Sequence, residues 1–112
     1  ILEFGSGWGF WSNYLKKNSF NISAFEVSKS RIENLRKNNI NVISNIDRVE
    51  KKFDFIYSEE TFEHIAKPKE TLIKLSRMLN KSGFILLRFP SAFLFNLKLN
   101  NNYKYVNSFL SI

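Results

Sequence analysis

The residues best suited to chemistry lie at a glycine-rich turn near the start of the chain. Residues 3–9 read E-F-G-S-G-W-G and follow a short apolar run that is typical of a β-strand. Glycine at positions 5 and 7 permits a tight turn and lets a ligand approach the main chain closely. A dinucleotide fingerprint requires its third glycine at position 10, where the sequence has Phe10. The spacing therefore makes a dinucleotide the less favoured ligand.

A carboxylate follows the turn at the spacing that a nucleoside ligand requires. Glu26 lies at the end of the second predicted strand, about twenty residues after the glycines. In nucleotide-binding β-α-β folds, a carboxylate at this position accepts hydrogen bonds from the ribose hydroxyls. The alternative is an exposed glutamate without a ligand. Because the glycine turn precedes it, we favour the ribose role.

A third group of polar residues spans positions 58–64. If this segment is helical, Glu60, Glu63 and His64 share one face, which can hold a divalent cation or present His64 as a general base. His64 is the only histidine in the chain, so a second imidazole ligand is lacking. The competing interpretation is that these side chains only orient a loop. We assign no metal site and select His64 as the candidate catalytic residue.

The elements that must position these groups follow from the alternation of apolar runs and helical patterns. Strands separated by helices of this length predict right-handed β-α-β units and a parallel sheet covered on both faces. The third predicted helix presents an apolar stripe at Leu72, Leu75 and Leu79, and residues 81–83 are predicted to form a turn. The predicted strands are 1–4, 22–27, 42–43, 53–57 and 84–89, and the predicted helices begin near Trp11, after Ser28 and at Pro68.

Five features in this order resemble the class I S-adenosylmethionine (SAM)-dependent methyltransferases. The E-x-G-x-G-x-G turn resembles the first motif of that family, and Glu26 follows it at the expected place. Residues 53–56 read FDFI, 62–65 read FEHI and 77–84 read RMLNKSGF, and all three resemble later motifs. Lys81 and Ser82 depart from the Pro-Gly of the last motif. The resemblance covers residues 1 to about 90.

The resemblance implies an α/β fold, a three-layer αβα sandwich with a mostly parallel, Rossmann-like sheet in the strand order 3-2-1-4-5. Complete members of the family add an edge hairpin and N-terminal helices, which this sequence lacks. We therefore expect a single partial domain, 1–112, that is cut short at both ends. Residues 1–90 would form the SAM-binding core and 91–112 the start of the substrate-side region. We expect this stretch alone to be marginally stable and inactive, because its sheet edge is open.

The same resemblance implies a set of residues that bind SAM. The glycine turn lines the methionine part, and Glu26 binds the ribose. The adenine lies beside Val27, between residues after the third strand, and the end of the fourth strand faces the transferred methyl. Trp8 beside the turn offers an aromatic face to the sulfonium cation. The implied cofactor-binding residues are Glu3, Phe4, Gly5, Ser6, Gly7, Glu26, Val27, Asn45, Ile46, Ser58 and Glu59.

The activity implied by the resemblance is methyl transfer from SAM to a small-molecule acceptor, on an oxygen, nitrogen or carbon that the sequence does not specify. Positioning of the acceptor and exclusion of water can supply much of the acceleration, so the reaction needs no catalytic triad. Two alternatives stay open. The first is an RNA-modifying methyltransferase, suggested by the basic charge and by the E-x-x-E-H pattern of small-RNA 2′-O-methyltransferases. The second is a non-catalytic interaction module with the same fold.

Composition narrows these alternatives. The 112 residues carry a net charge of +7, but the basic side chains are spread over predicted helix surfaces and loops, so nucleic acid is a less favoured partner. The chain has no cysteine, which excludes disulfides and thiolate metal sites and fits a cytoplasmic protein. No apolar run approaches the roughly 18 residues that span a membrane.

Overall fold

Within residues 1–90, five parallel strands form one sheet in the order β3-β2-β1-β4-β5. The computed structural model of the chain describes residues 1–90, and the predicted substrate-side region, 91–112, lies outside the described residues. The predicted fold class and strand order are confirmed. The strands are β1 (Leu2–Phe4), β2 (Ser23–Phe25), β3 (Asn41–Ile43), β4 (Phe53–Glu59) and β5 (Leu79–Arg88), the helices are α1 (Phe10–Lys17), α2 (Lys29–Lys37) and α3 (Pro68–Arg77), and two 3-10 turns span Ile46–Arg48 and Phe62–His64.

Two apolar clusters hold the helices against the two faces of the sheet. Because side chains alternate along a strand, Leu2 and Phe4 of β1 face one side, where they pack with Leu75 of α3. On the other side, Ala24 of β2 packs with Leu15 of α1 and Leu35 of α2. The result is three layers with helices on both faces. Within residues 1–90, no helix is long and apolar enough to cross a membrane.

The third helix buries less of its predicted stripe than expected. Leu75 is fully buried, but Leu72 is 38% exposed. The helix ends at Arg77, so Leu79 already belongs to β5, and Met78 occupies the next core position. The predicted stripe therefore wrongly included Leu79, because the helix ends before that residue.

The predicted turn at residues 81–83 is wrong, because these residues lie within β5. β5 begins at Leu79, which pairs with Phe53, and the next pair joins Phe84 to Phe55. Four residues of β5 therefore stand opposite the single residue Asp54, which makes the segment a bulge. A Cβ at Gly83 would lie 3.0–3.1 Å from three backbone carbonyl oxygens, so glycine permits this close approach.

Candidate functional site

A cleft of about 490 Å³ opens where β1, β2 and β4 end. Ligands of open α/β sheets bind beyond these carboxyl ends, because the loops there diverge to opposite faces of the sheet. The cleft brings together seven of the residues predicted for the site, Phe4, Gly5, Gly7, Glu26, Val27, Glu59 and His64. Its other lining residues are Trp8, Phe25, Arg31, Glu60, Thr61 and Ile65.

The glycine turn connects β1 to α1 through three residues in the left-handed region. Gly5, Gly7 and Gly9 have φ angles of 81°, 55° and 75°, which glycine adopts without a steric penalty. The amides of Gly5 and Ser6 both donate hydrogen bonds to the carbonyl of Phe25, at 3.0 and 3.1 Å. The turn is therefore anchored to the end of β2, the strand that leads to the candidate ribose carboxylate.

The three glycines meet different surroundings. A Cβ added at Gly5 would lie 2.2 Å from Thr61, and a Cβ added at Gly9 would lie 2.3 Å from Leu35. Both positions are therefore enclosed by packed side chains. At Gly7, a Cβ would meet no atom of residues 1–90 within 4 Å apart from those of its two chain neighbours. Gly7 therefore keeps open a part of the cleft where a bound molecule can reach the main chain.

Glu26 lies directly beside this turn. Its side chain is almost completely buried, and its Oε2 accepts a hydrogen bond of 2.9 Å from the amide of Gly7. Its Oε1 accepts from the amides of Val27 and Ser28, at 2.8 and 3.0 Å. Hydrogen bonds from these backbone amides thus fix the carboxylate in place and offset part of the free-energy cost of burying its charge. Val27, by contrast, is 72% exposed at the rim of the cleft.

Two of the predicted residues hold the strands and the first helix together instead of lining the cleft. Glu3 is buried under the turn, and its carboxylate accepts hydrogen bonds from both the amide and the hydroxyl of Ser12 in α1. Desolvation by burial raises the pKa of Glu3, and the bonds from Ser12 oppose this shift. Ser58 is also buried and donates a hydrogen bond of 2.9 Å to the carbonyl of Phe4.

Three further predicted residues lie away from the cleft lining. Ser6 is buried, and among the described residues its hydroxyl has no hydrogen-bond partner. Asn45 accepts a hydrogen bond of 2.9 Å from the amide of Asp47 and so caps a 3-10 turn. Ile46, in that turn, packs against the apolar cluster around Leu2. The structure does not bring Asn45 and Ile46 to the cleft, because the chain after β3 turns immediately to cover the core.

The end of β4 forms the acidic side of the cleft. Glu59 accepts a hydrogen bond of 2.6 Å from the hydroxyl of Tyr57 and forms an ion pair with Arg88. Burial, together with the bond to Glu59, raises the pKa of Tyr57. Glu60 and His64 also line the cleft, and both are exposed.

The segment after β4 is not one continuous helix. Glu60 has a φ of 47°, and only Phe62–His64 forms a single 3-10 turn. The shared helical face considered for Glu60, Glu63 and His64 is therefore not formed, and Glu63 does not line the cleft. Within residues 1–90, no group of three histidine or acidic side chains is close enough to hold a metal ion.

Sequence reasoning missed Arg31 as a cleft residue and treated it as a solvated surface charge. Its Nη1 lies 3.8 Å from Oε2 of Glu26, and its guanidinium lies over the Trp8 ring, 5.9 Å from the ring centroid. One signal was available in the sequence. Arg31 is in the first turn of the helix that follows Glu26, and helical side chains tilt toward the helix N-terminus, here toward the cleft.

Comparison with known proteins agrees with this architecture. A sequence profile of the family described as "Methyltransferase domain" matches residues 1–109. The chain belongs to this methyltransferase-domain family. The predicted resemblance to class I SAM-dependent methyltransferases is thereby confirmed.

Individual relatives extend the comparison. Malonyl-acyl-carrier-protein O-methyltransferase 2 of Ilyobacter polytropus is 32% identical over 96 residues, which cover 77% of this chain and 37% of that relative. Among solved structures, the plantazolicin methyltransferase BpumL in complex with S-adenosylhomocysteine (SAH) superposes with a TM-score of 0.77 at 23% identity, over 94% of this chain and 44% of BpumL. Coclaurine N-methyltransferase bound to N-methylheliamine and SAH gives a TM-score of 0.67 at 26% identity, over 77% and 29% of the two chains. The chain thus spans less than half the length of these relatives.

Proposed function

We propose that the cleft binds SAM and that the whole protein transfers the methyl group of SAM to a small-molecule acceptor. The observation that carries this proposal is the contact between Glu26 and Gly7, which joins a buried carboxylate to a glycine turn at the ends of adjacent parallel strands. A nucleoside needs both features together, an acceptor for its sugar hydroxyls and a main chain free of side chains beside it. Residues 1–90 would then be the SAM-binding core.

In this proposal, different residues of the cleft bind different parts of the cofactor. Glu26 accepts hydrogen bonds from the ribose, and Val27 packs beside the adenine. Gly5 and Gly7 leave space for the methionine part, and the Trp8 ring faces the sulfonium. SAM supplies an electrophilic methyl group. The protein therefore has to orient an acceptor in line with that group and exclude water from it.

The acceptor is proposed to approach from the end of β4. His64 is exposed and lines the cleft there, so it can take a proton from an acceptor hydroxyl or ammonium group. Glu59, held by Tyr57 and Arg88, faces the same space. Activity of these residues is expected only in the whole protein. Similar proteins include a malonyl-acyl-carrier-protein O-methyltransferase and a coclaurine N-methyltransferase bound to N-methylheliamine, which supports acceptors other than nucleic acid.

RNA is the less favoured acceptor for an electrostatic reason. Among residues 1–90, three carboxylates, Glu26, Glu59 and Glu60, line the cleft against the single guanidinium of Arg31. A phosphate backbone that entered the cleft would meet repulsion at short range, despite the net positive charge of the chain. Affinity for single-stranded RNA that falls steeply with salt and competes with SAH would reverse this preference.

The test is calorimetric titration of the full-length protein with SAH. Glu26→Gln keeps the size of the side chain but removes its charge, so we expect the Kd for SAH to rise by about tenfold or more. Glu33→Gln, on the exposed surface of α2, is the matched control and should leave the Kd unchanged. Absence of SAH binding by the wild type, or equal affinity of the Glu26→Gln variant, would contradict the proposal.

A further inference from the structure

We infer that Arg31 is a second ribose-binding residue, which brackets one ribose hydroxyl together with Glu26. This inference rests on the proposed function, since the ligand is the adenosine part of SAM. The hydroxyl would donate its proton to Oε2 of Glu26 and accept a hydrogen bond from the Arg31 guanidinium.

The carboxylate of Glu26 has one acceptor position that none of the residues 1–90 occupies. Each carboxylate oxygen can accept about two hydrogen bonds. From the described part of the chain, Oε1 already accepts two hydrogen bonds, from the amides of Val27 and Ser28, whereas Oε2 accepts only one, from Gly7. A ribose hydroxyl therefore bonds to Oε2 without displacing any of these backbone donors, and Oε2 is the oxygen nearest to Arg31.

The distance between the two side chains suits a bridging hydroxyl. Arg31 Nη1 and Glu26 Oε2 are 3.8 Å apart, which is too long for a direct hydrogen bond. An oxygen about 2.8 Å from each atom forms ordinary hydrogen bonds to both. A hydroxyl can serve both partners because it is a donor and an acceptor, while the carboxylate only accepts and the guanidinium only donates.

The guanidinium is positioned by the Trp8 ring, and this ring is in turn held by Asn34. The Trp8 ring lies beneath it, with the centroid 5.9 Å from the Arg31 Cζ. Asn34, one helical turn after Arg31, donates a hydrogen bond of 2.9 Å to the Trp8 carbonyl and so fixes the position of the ring relative to α2. The arginine side chain itself is 45% exposed, so its ion pair with Glu26 adds little to stability by itself. Its donors remain available to a ligand.

The test compares SAH with its 2′-deoxy and 3′-deoxy analogues by calorimetry on the full-length protein. For Arg31→Ala, we expect the Kd for SAH to rise by about tenfold, because one hydrogen bond from a charged donor to the ligand is lost. The same variant should bind the analogue that lacks the bracketed hydroxyl as well as the wild type binds it. The other analogue should show the full tenfold effect. Arg31→Met, which keeps an apolar stem over Trp8, should behave like Arg31→Ala.

The control variant is Arg36→Ala, which removes an exposed arginine from the last turn of the same helix and should change none of the three Kd values. An equal loss of affinity for all three ligands in Arg31→Ala, or no loss at all, would overturn the inference. The failure of the proposed function is distinguishable, because in that case the wild type itself would not bind SAH, or its binding would not depend on Glu26.

Discussion

Thr61 lies directly against Gly5, so that a Cβ added to the glycine would stand 2.2 Å from the Thr61 Oγ1. The same hydroxyl donates a hydrogen bond of 2.9 Å to the carbonyl of Glu59. The loop after β4 therefore packs on the glycine turn after β1. This contact joins the part of the cleft proposed for the cofactor to the part proposed for the acceptor.

Gly5→Ala should destabilise the protein by about 2 kcal/mol or more, because a left-handed φ angle and a steric overlap with Thr61 act together. The free energy of unfolding in urea measures the loss. The double variant Gly5→Ala/Thr61→Gly removes every Thr61 atom that the new methyl would meet. It should be less destabilised than the sum of the two single variants. Simple additivity would show that the overlap with Thr61 is unimportant.

Gly7→Asn should separate stability from ligand binding. Asparagine tolerates the left-handed region better than most residues, and a Cβ at this position meets no atom of residues 1–90 apart from those of its two chain neighbours, so we expect a loss of about 1 kcal/mol or less in stability. The side chain would occupy the cleft, and the Kd for SAH should rise by more than tenfold. Unchanged affinity in a folded Gly7→Asn variant would mean that the cofactor does not approach this turn.

Glu3 should make the unfolding free energy depend on pH. Burial raises its pKa above the ordinary value of 4.5, so the folded state holds the proton more tightly than the unfolded state. The contribution of Glu3 to stability is therefore greatest below pH 4.5, falls as the pH rises through the folded pKa and is constant above it. Glu3→Gln removes this dependence. The difference in unfolding free energy between wild type and variant, measured by urea denaturation from pH 4 to 8, should decrease with pH, and a difference that is flat or increases would refute the assignment.

His64→Gln should lower kcat of the full-length enzyme by about 100-fold if the imidazole takes a proton from the acceptor. The affinity for SAH should not change, because the methyl donor is proposed to contact other residues. Glu63→Gln is the matched control, since Glu63 is exposed and does not line the cleft. Equal kcat values for wild type and His64→Gln would show that His64 is not the general base.

The alternation of strands and helices and the candidate site at the end of β1 could be predicted from local patterns in the sequence, whereas the order of the strands was implied by the family resemblance. Apolar runs of strand length alternate with helical spacing, and the Gly5 to Gly9 spacing and Glu26 each lie immediately after a strand. Since parallel strands connected by helices place their carboxyl ends on one edge of the sheet, such residues come together whatever the details of packing.

The remaining features required the tertiary structure. Arg31 joins the cleft only because α2 directs its first turn toward Glu26, and Asn45 leaves it because a capped turn follows β3. The family resemblance implied that Glu3 and Ser58 bind the cofactor, yet they bond to α1 and β1 instead of facing the cleft. Local patterns determine which residues end a strand. Only the register and packing of segments distant in sequence determine which way a side chain points and what it contacts.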